Sequence, residues 1–197
     1  MKNKFQSLSF TGYLQIQYQK AESSGIESYN GGDFAKASDN RYMIRRGRFR
    51  LDYGRRTAEG FYRYNFALQF DGTEKGVNIR DMFGRIYENK WHNLVATFGV
   101  FNRPFGYELN HSSSLRESPE RGRMSQILMK TERDIGAMIS FEPQERSNKL
   151  YPLKIDAGIF NGQGLAGPGE YDSYKDFVAR ASLRRFKIAE RLYLSGG

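Results

Sequence analysis

Cysteine is absent from the chain, which excludes disulfides, thiol nucleophiles and zinc–thiolate sites. Histidine is nearly absent too. His92 and His111 are the only two, which argues against a histidine-based catalytic triad or metal centre, and no metal or other cofactor is expected. Long apolar runs are also missing: nothing approaches the roughly 18 consecutive apolar residues of a transmembrane helix. No segment sustains a 3.6-residue hydrophobic period, so helices are not expected to organise the fold. At the amino terminus Met1-Lys2-Asn3-Lys4 is basic, but Phe5 to Phe10 is too short and too polar for a signal peptide's apolar region. An exported protein would therefore have its signal removed or carried outside this sequence.

What the chain does have is arginine and aromatic rings. Lys+Arg total 31 against 22 Asp+Glu, a net charge of +9, and aromatic residues make up 15%. Arginine favours bidentate contact with carboxylate or phosphate, whereas lysine is a hydrated point charge. A mean hydropathy of −0.70 ordinarily suggests a soluble protein. A transmembrane β-barrel escapes that inference, because strands with one apolar and one polar face average polar.

Period-2 alternation runs through most of the 197 residues, which are long enough for one domain with a core. Strands are predicted over Leu8–Lys20, Tyr42–Tyr53, Phe61–Asp71, Val77–Glu88, Leu94–Phe101, Arg133–Phe141, Tyr151–Phe160 and Tyr174–Phe186, with a ninth beginning at Glu190. Strands of roughly 9–11 residues suit a tilted bilayer crossing. The connections after the first, fifth and seventh strands are long, whereas those after the second, fourth, sixth and eighth are short; the one after the third, around Gly72 to Gly76, is too short to add to the pattern. In up-and-down order this puts the long loops at one end, as in outer-membrane barrels. Aromatics also gather near strand ends (Tyr18, Tyr42, Tyr53, Phe61, Phe70, Tyr87, Trp91, Phe101, Phe141, Tyr151, Phe160, Tyr174 and Phe186), the placement of an interfacial girdle.

The longest break follows Phe101. It is far beyond the 12–15 residues above which loops are usually functional or disordered, and it carries Arg103, Arg116, Arg121 and Arg123. Pro104 and Gly106, on either side of Phe105, form a hinge that lets the chain leave the wall and turn inward. Phe105, Tyr107, Leu115 and Met124 are expected to anchor the loop against that wall. On the strands, alternation puts Arg46, Arg48, Arg50, Arg63, Arg85, Arg180 and Arg184 on one face with Asp52, Asp71, Asp81, Asp156 and Asp176. Tyr64, Phe66, Leu68, Phe98, Ile139, Ile155 and Leu183 lie on the other. Facing a passage, cationic rows would lower the barrier to anions.

Two other function classes compete with a channel. Enzyme chemistry is not expected: Ser112-Ser113-Ser114 beside His111 is not a nucleophile–base pair without geometry, and the carboxylates are too scattered for a glycosidase pair. A basic sheet with aromatics could instead bind single-stranded nucleic acid. Here, however, the rings share the apolar face or strand ends rather than alternating with arginine, so no nucleic-acid partner is expected.

Four stretches, taken together, resemble the phosphate-selective porin family, the porin O and P type. They are Tyr42-Met43-Ile44-Arg45-Arg46-Gly47-Arg48, Gly99-Val100-Phe101 through Pro104-Phe105-Gly106, Arg133-Asp134-Ile135-Gly136, and Ala157-Gly158-Ile159-Phe160-Asn161-Gly162. The resemblance implies a sixteen-stranded homotrimeric barrel in the bacterial outer membrane, narrowed by an in-folded third loop and attracting small anions. By loop parity, residues 102–133 hold that loop's position. Asn102 stands where family members often carry lysine, which weakens an expectation of phosphate selectivity in particular. About eight strands and the start of a ninth amount to half a barrel, so a truncated sequence is expected, with an open, curved sheet rather than a sealed eight-stranded barrel. The expectation is a single all-β domain over residues 1–197, an antiparallel up-and-down transmembrane barrel wall that passes anions through Arg46, Arg48, Arg50, Arg63, Arg85, Arg103, Arg116, Arg121, Arg123 and Arg180.

Overall fold

The computed structural model describes residues 6–28, 32–110, 118, 121–129, 131–165, 170, 172–190 and 192–197. Nine strands follow one another: β1 (Gln6–Lys20), β2 (Asn40–Arg56), β3 (Tyr62–Thr73), β4 (Gly76–Tyr87), β5 (Leu94–Asn102), β6 (Arg133–Phe141), β7 (Leu153–Phe160), β8 (Asp176–Ala189) and β9 (Leu192–Gly196). Each pairs antiparallel with its sequence neighbour, and the spatial order is the sequence order. Among the described residues β1 pairs only with β2 and β9 only with β8. The sheet is therefore open, as expected. The long connections, 21–39, 103–132 and 161–175, share one end with the two-residue turn 74–75, while the other short connections lie at the opposite end. Helical structure among the described residues is confined to a 3-10 turn, Glu108–Asn110, and one short helix, α1 (Arg123–Leu128).

The register decides which residues share a face, since directly paired residues point the same way. One row runs Leu51, Leu68, Met82, Val100 and Ile135; the next runs Phe66, Gly84, Phe98, Ala137, Ile159 and Phe177. On the opposite face lie Arg50, Gln69 and Asp81, and beside them Arg85, Thr97, Met138 and Gly158. Burial is inverted relative to a water-soluble sheet. Phe98 is 52% exposed and Ile139 64%, whereas Thr97 is 2%, Asp156 3% and Arg46 6% exposed.

Five register irregularities interrupt the alternation, and the three among β1–β4 each make an arginine the extra residue. Gln15 pairs with Arg46 but Ile16 with Ile44, so Arg45 is extra in β2. Arg63 is extra in β3, between Tyr62 and Tyr64, and Arg80 in β4, between Ile79 and Asp81. A bulge leaves its residue unpaired and bends the strand. Past the one at Arg63, Tyr62 pairs with Arg56 and stacks on Tyr87 on the polar face, not beside Tyr64 as simple alternation implied.

The polar face also holds the core. Phe101, Met138 and Phe160 pack together with Phe83 and Val178. Gly136 and Gly158 make room for the Phe160 ring: a Cβ on either would come within 2.6 and 2.7 Å of it. Tyr87, Phe101 and Phe160 are thus buried on the polar face, which removes them from the expected aromatic girdle. Tyr18 and Tyr42 do pair on the apolar face at the long-loop end, with ring centroids 5.0 Å apart.

Candidate functional site

Arginines on the polar face do not stand alone; carboxylates of the same strand or of nearby strands partner them. Arg48 Nε lies 3.1 Å from Asp71, Arg50 Nε lies 2.6 Å from Asp52, and Arg133 Nε lies 2.9 Å from Asp81. Mutual pairing organises these groups but does not neutralise them, because the cations are in excess.

That excess concentrates in a cavity of about 450 Å³ at the long-loop end. Its wall comprises Arg45, Arg46 and Arg48 of β2, Asp71 and Thr73 of β3, and Asn78, Ile79 and Arg80 of β4. Arg121, Gln126, Thr131, Glu132, Arg133 and Leu165 complete it. Six arginines against two carboxylates leave 6 − 2 = +4 among the lining groups. Since Arg121 and Gln126 share this cavity with β2, the β5–β6 connection folds back across the polar face. Bulges explain why consecutive residues reach it: an ideal strand would turn Arg45 and Arg80 to the apolar side.

Polar contacts hold the connection in place. Arg103, 4% exposed, donates to the carbonyl oxygen and hydroxyl of Thr131, both at 2.6 Å, and to the Gly162 carbonyl at 3.2 Å. Asp134 accepts from Gly162 N–H at 2.6 Å, which physically links the Arg133-Asp134 and Asn161-Gly162 stretches. Within the loop, Glu108 accepts from Gly122 N–H, and Arg121 donates to the Ser125 and Met129 carbonyls along α1. Arg121 Nε also lies 2.9 Å from Glu132.

A second cavity, of about 520 Å³, occupies the short-turn end. Arg56, Arg85, Arg146 and Arg184 face Glu59 and Glu142 there, 4 − 2 = +2, alongside Tyr62, Tyr87 and Tyr151. Arg56 stacks 3.7 Å over the Tyr62 ring and Arg184 4.7 Å over Tyr151. Glu142, in the turn after β6, receives Arg85, Arg184 at 3.4 Å and Lys154 at 3.6 Å. Burial pushes its carboxyl up, but Arg85, Lys154 and Arg184 outweigh burial and hold it below the usual carboxylate range.

Of the expected residues, Arg46, Arg48 and Arg121 line the first cavity and Arg85 the second. Arg50 lies between Asp52 and Asp81 on the polar face. Arg180 sits on that face opposite Asp156, and its buried Nε has no partner among the described residues. Three others differ from expectation. Arg63 occupies a bulge, is exposed and lines neither cavity. Arg103 is committed to tying the loop ends together. Arg123, exposed at the start of α1, also lines neither cavity. Arg116 and Leu115 lie outside the described residues. At the hinge Pro104 is buried and Gly106 takes φ +56°. Phe105, Tyr107 and Met124, expected as anchors, are exposed instead; buried Leu109 and the Arg103 contacts hold the loop. Arg45, Arg80, Glu132, Arg56 and Glu142 were not legible as site residues, because a bulge or a strand end decides where each one points. Compared with protein-family models, curated proteins and solved structures, the chain matches none.

Proposed function

We propose that this chain forms part of the wall of an outer-membrane β-barrel porin that passes small anionic solutes, phosphate among the candidates, by diffusion. The observation that carries the reading is the inverted burial. A continuous apolar face is exposed while arginines and carboxylates are sequestered, the arrangement a sheet needs with lipid on one side and water on the other. The common end of the long connections and the inward fold of residues 121–129 and 131–133 support it. Among the described residues no helix is long and apolar enough to cross a membrane, which has no bearing on crossing by strands. An open nine-stranded sheet leaves two edges unpaired, and a water-filled barrel takes about sixteen strands. The sheet is accordingly proposed as a section of such a barrel, and a homotrimer follows from the porin resemblance. The folded-back connection is the proposed constriction, with its cavity on the anion path.

Two measurements test this. The full-length protein should partition into detergent micelles and, reconstituted in planar bilayers, give anion-selective reversal potentials in a salt gradient. Arg46→Glu with Arg48→Glu should shift the reversal potential toward cation selectivity. A protein that stays monodisperse in detergent-free buffer and conducts nothing would overturn the reading. Unchanged selectivity in the double variant would remove this cavity from the path.

A further inference from the structure

Glu132 meets three guanidiniums, one of them carried by the folded-back connection, whereas Glu142, which also meets three cations, draws two guanidiniums and an ammonium from strands alone. Oε2 of Glu132 lies 2.5 Å from Arg80 of β4 and also contacts Arg133 of β6; its Oε1 lies 2.9 Å from Nε of Arg121, in the folded-back connection. Three guanidiniums from three separate elements converge on one carboxylate group. Its side chain is 15% exposed, and the lining around it still carries the surplus of positive charge described above.

We propose that Glu132 is a tethered counter-anion. Its carboxylate occupies the seat a permeating oxyanion takes, and such an anion passes by exchanging with it. The inference rests on the porin reading and names the residue that sets affinity within it. Asp71 and Asp81 cannot play this part, because each is a short side chain within a paired strand. Glu132 stands just before β6, on a side chain with one more rotatable bond, and can swing aside without moving the wall. The two-oxygen geometry also selects the ligand class. An anion with several oxygens, a phosphate or a carboxylate, can reproduce the Oε1 and Oε2 contacts to three guanidiniums at once; a halide offers one atom and cannot. Release of Glu132 does not dismantle the loop. Arg121 still donates to the Ser125 and Met129 carbonyls, and Arg103 still holds Thr131. Exchange therefore leaves α1 in place, and the three guanidiniums are never left without an anion.

The test uses the full-length protein, with inorganic phosphate as the probe. In bilayers, phosphate should inhibit chloride current, and Glu132→Gln should lower the half-inhibiting concentration about tenfold, since the neutral amide keeps the shape but removes the competing charge. Glu132→Asp keeps the charge and should remain within about threefold of the wild type. If Glu132 were only a strut, both variants would loosen the loop alike, raising chloride conductance and abolishing inhibition, and the proposal would fall. Calorimetric titration of phosphate into detergent-solubilised protein gives a second readout that needs no conduction. About tenfold tighter binding in the Gln variant would uphold the role of Glu132 even if the wild type formed no channel, a result that would overturn the porin reading alone. Equal affinity in the wild type and the Gln variant would overturn the proposal whatever the conductance.

Discussion

Phe98→Arg separates a sheet facing lipid from one facing water. Phe98 is the middle residue of β5, half exposed, and its register neighbours are Gly84 and Ala137. The nine residues of β5, rising about 3.3 Å each and tilted about 40°, span about 23 Å, close to an apolar band of about 25 Å. Phe98 then sits near the bilayer midplane. Arginine on the lipid face at that depth costs about 2–4 kcal/mol, and less toward the interfaces. On a face in water, an exposed substitution stays within about 0.5 kcal/mol. The two readings thus differ by several-fold in the same observable. The assay is urea titration of the protein folded into phosphatidylcholine vesicles, followed by fluorescence of Trp91, the single tryptophan. Tyr174→Arg, at an exposed position outside the strands, is the control and should leave the transition unmoved. An unshifted midpoint for Phe98→Arg, or better solubility without detergent, would refute the lipid-facing assignment.

Two further outcomes are expected. Glu142 is held below its ordinary range, so its contribution is complete above the unfolded value of about 4.3 and fades as pH falls through the lowered folded value. Urea midpoints taken from pH 6 to pH 3 should therefore drop at the acid end, and Glu142→Gln should flatten that drop. Arg103→Ala leaves Asp134 without its nearby guanidinium and breaks the hydrogen bonds to Thr131 and Gly162. Removing one partner from a buried charge pair costs about 3–5 kcal/mol, and faster amide exchange across residues 131–136 would show it.

The strands themselves were legible because a sheet with one polar and one apolar face imprints its geometry at every second residue. β6 runs over Arg133–Phe141, the range its alternation predicts, and the faces of Phe66, Phe98, Ile139 and Arg48 follow from the same rhythm. Three things were not legible. Register is set between strands, so nothing in Asn78-Ile79-Arg80-Asp81 marks Arg80 as extra. Loop anchoring rests on buried polar contacts from Arg103, whose charge in the sequence pointed to an anion path instead. The aromatic cluster on the polar face depends on Gly136 lying opposite Phe160, a proximity that arises only once β6 and β7 have paired.

The bulges carry a consequence for how such a wall tolerates change in length. Ile44 and Tyr42 share the even numbering of Arg46, yet they pair with Ile16 and Tyr18 on the apolar face because Arg45 intervenes. Arg45 therefore behaves as an insertion between two segments already in correct phase. Excising it would join Ile44 to Arg46 with every other side chain still on its present side. The same holds for Arg80, between Ile79 and Asp81. Excising a paired residue such as Phe49 would instead invert one flank of the strand. Whole-residue gain or loss at these positions thus adds or removes a cation without disturbing either face, a route by which the charge of the cavity can be altered one arginine at a time.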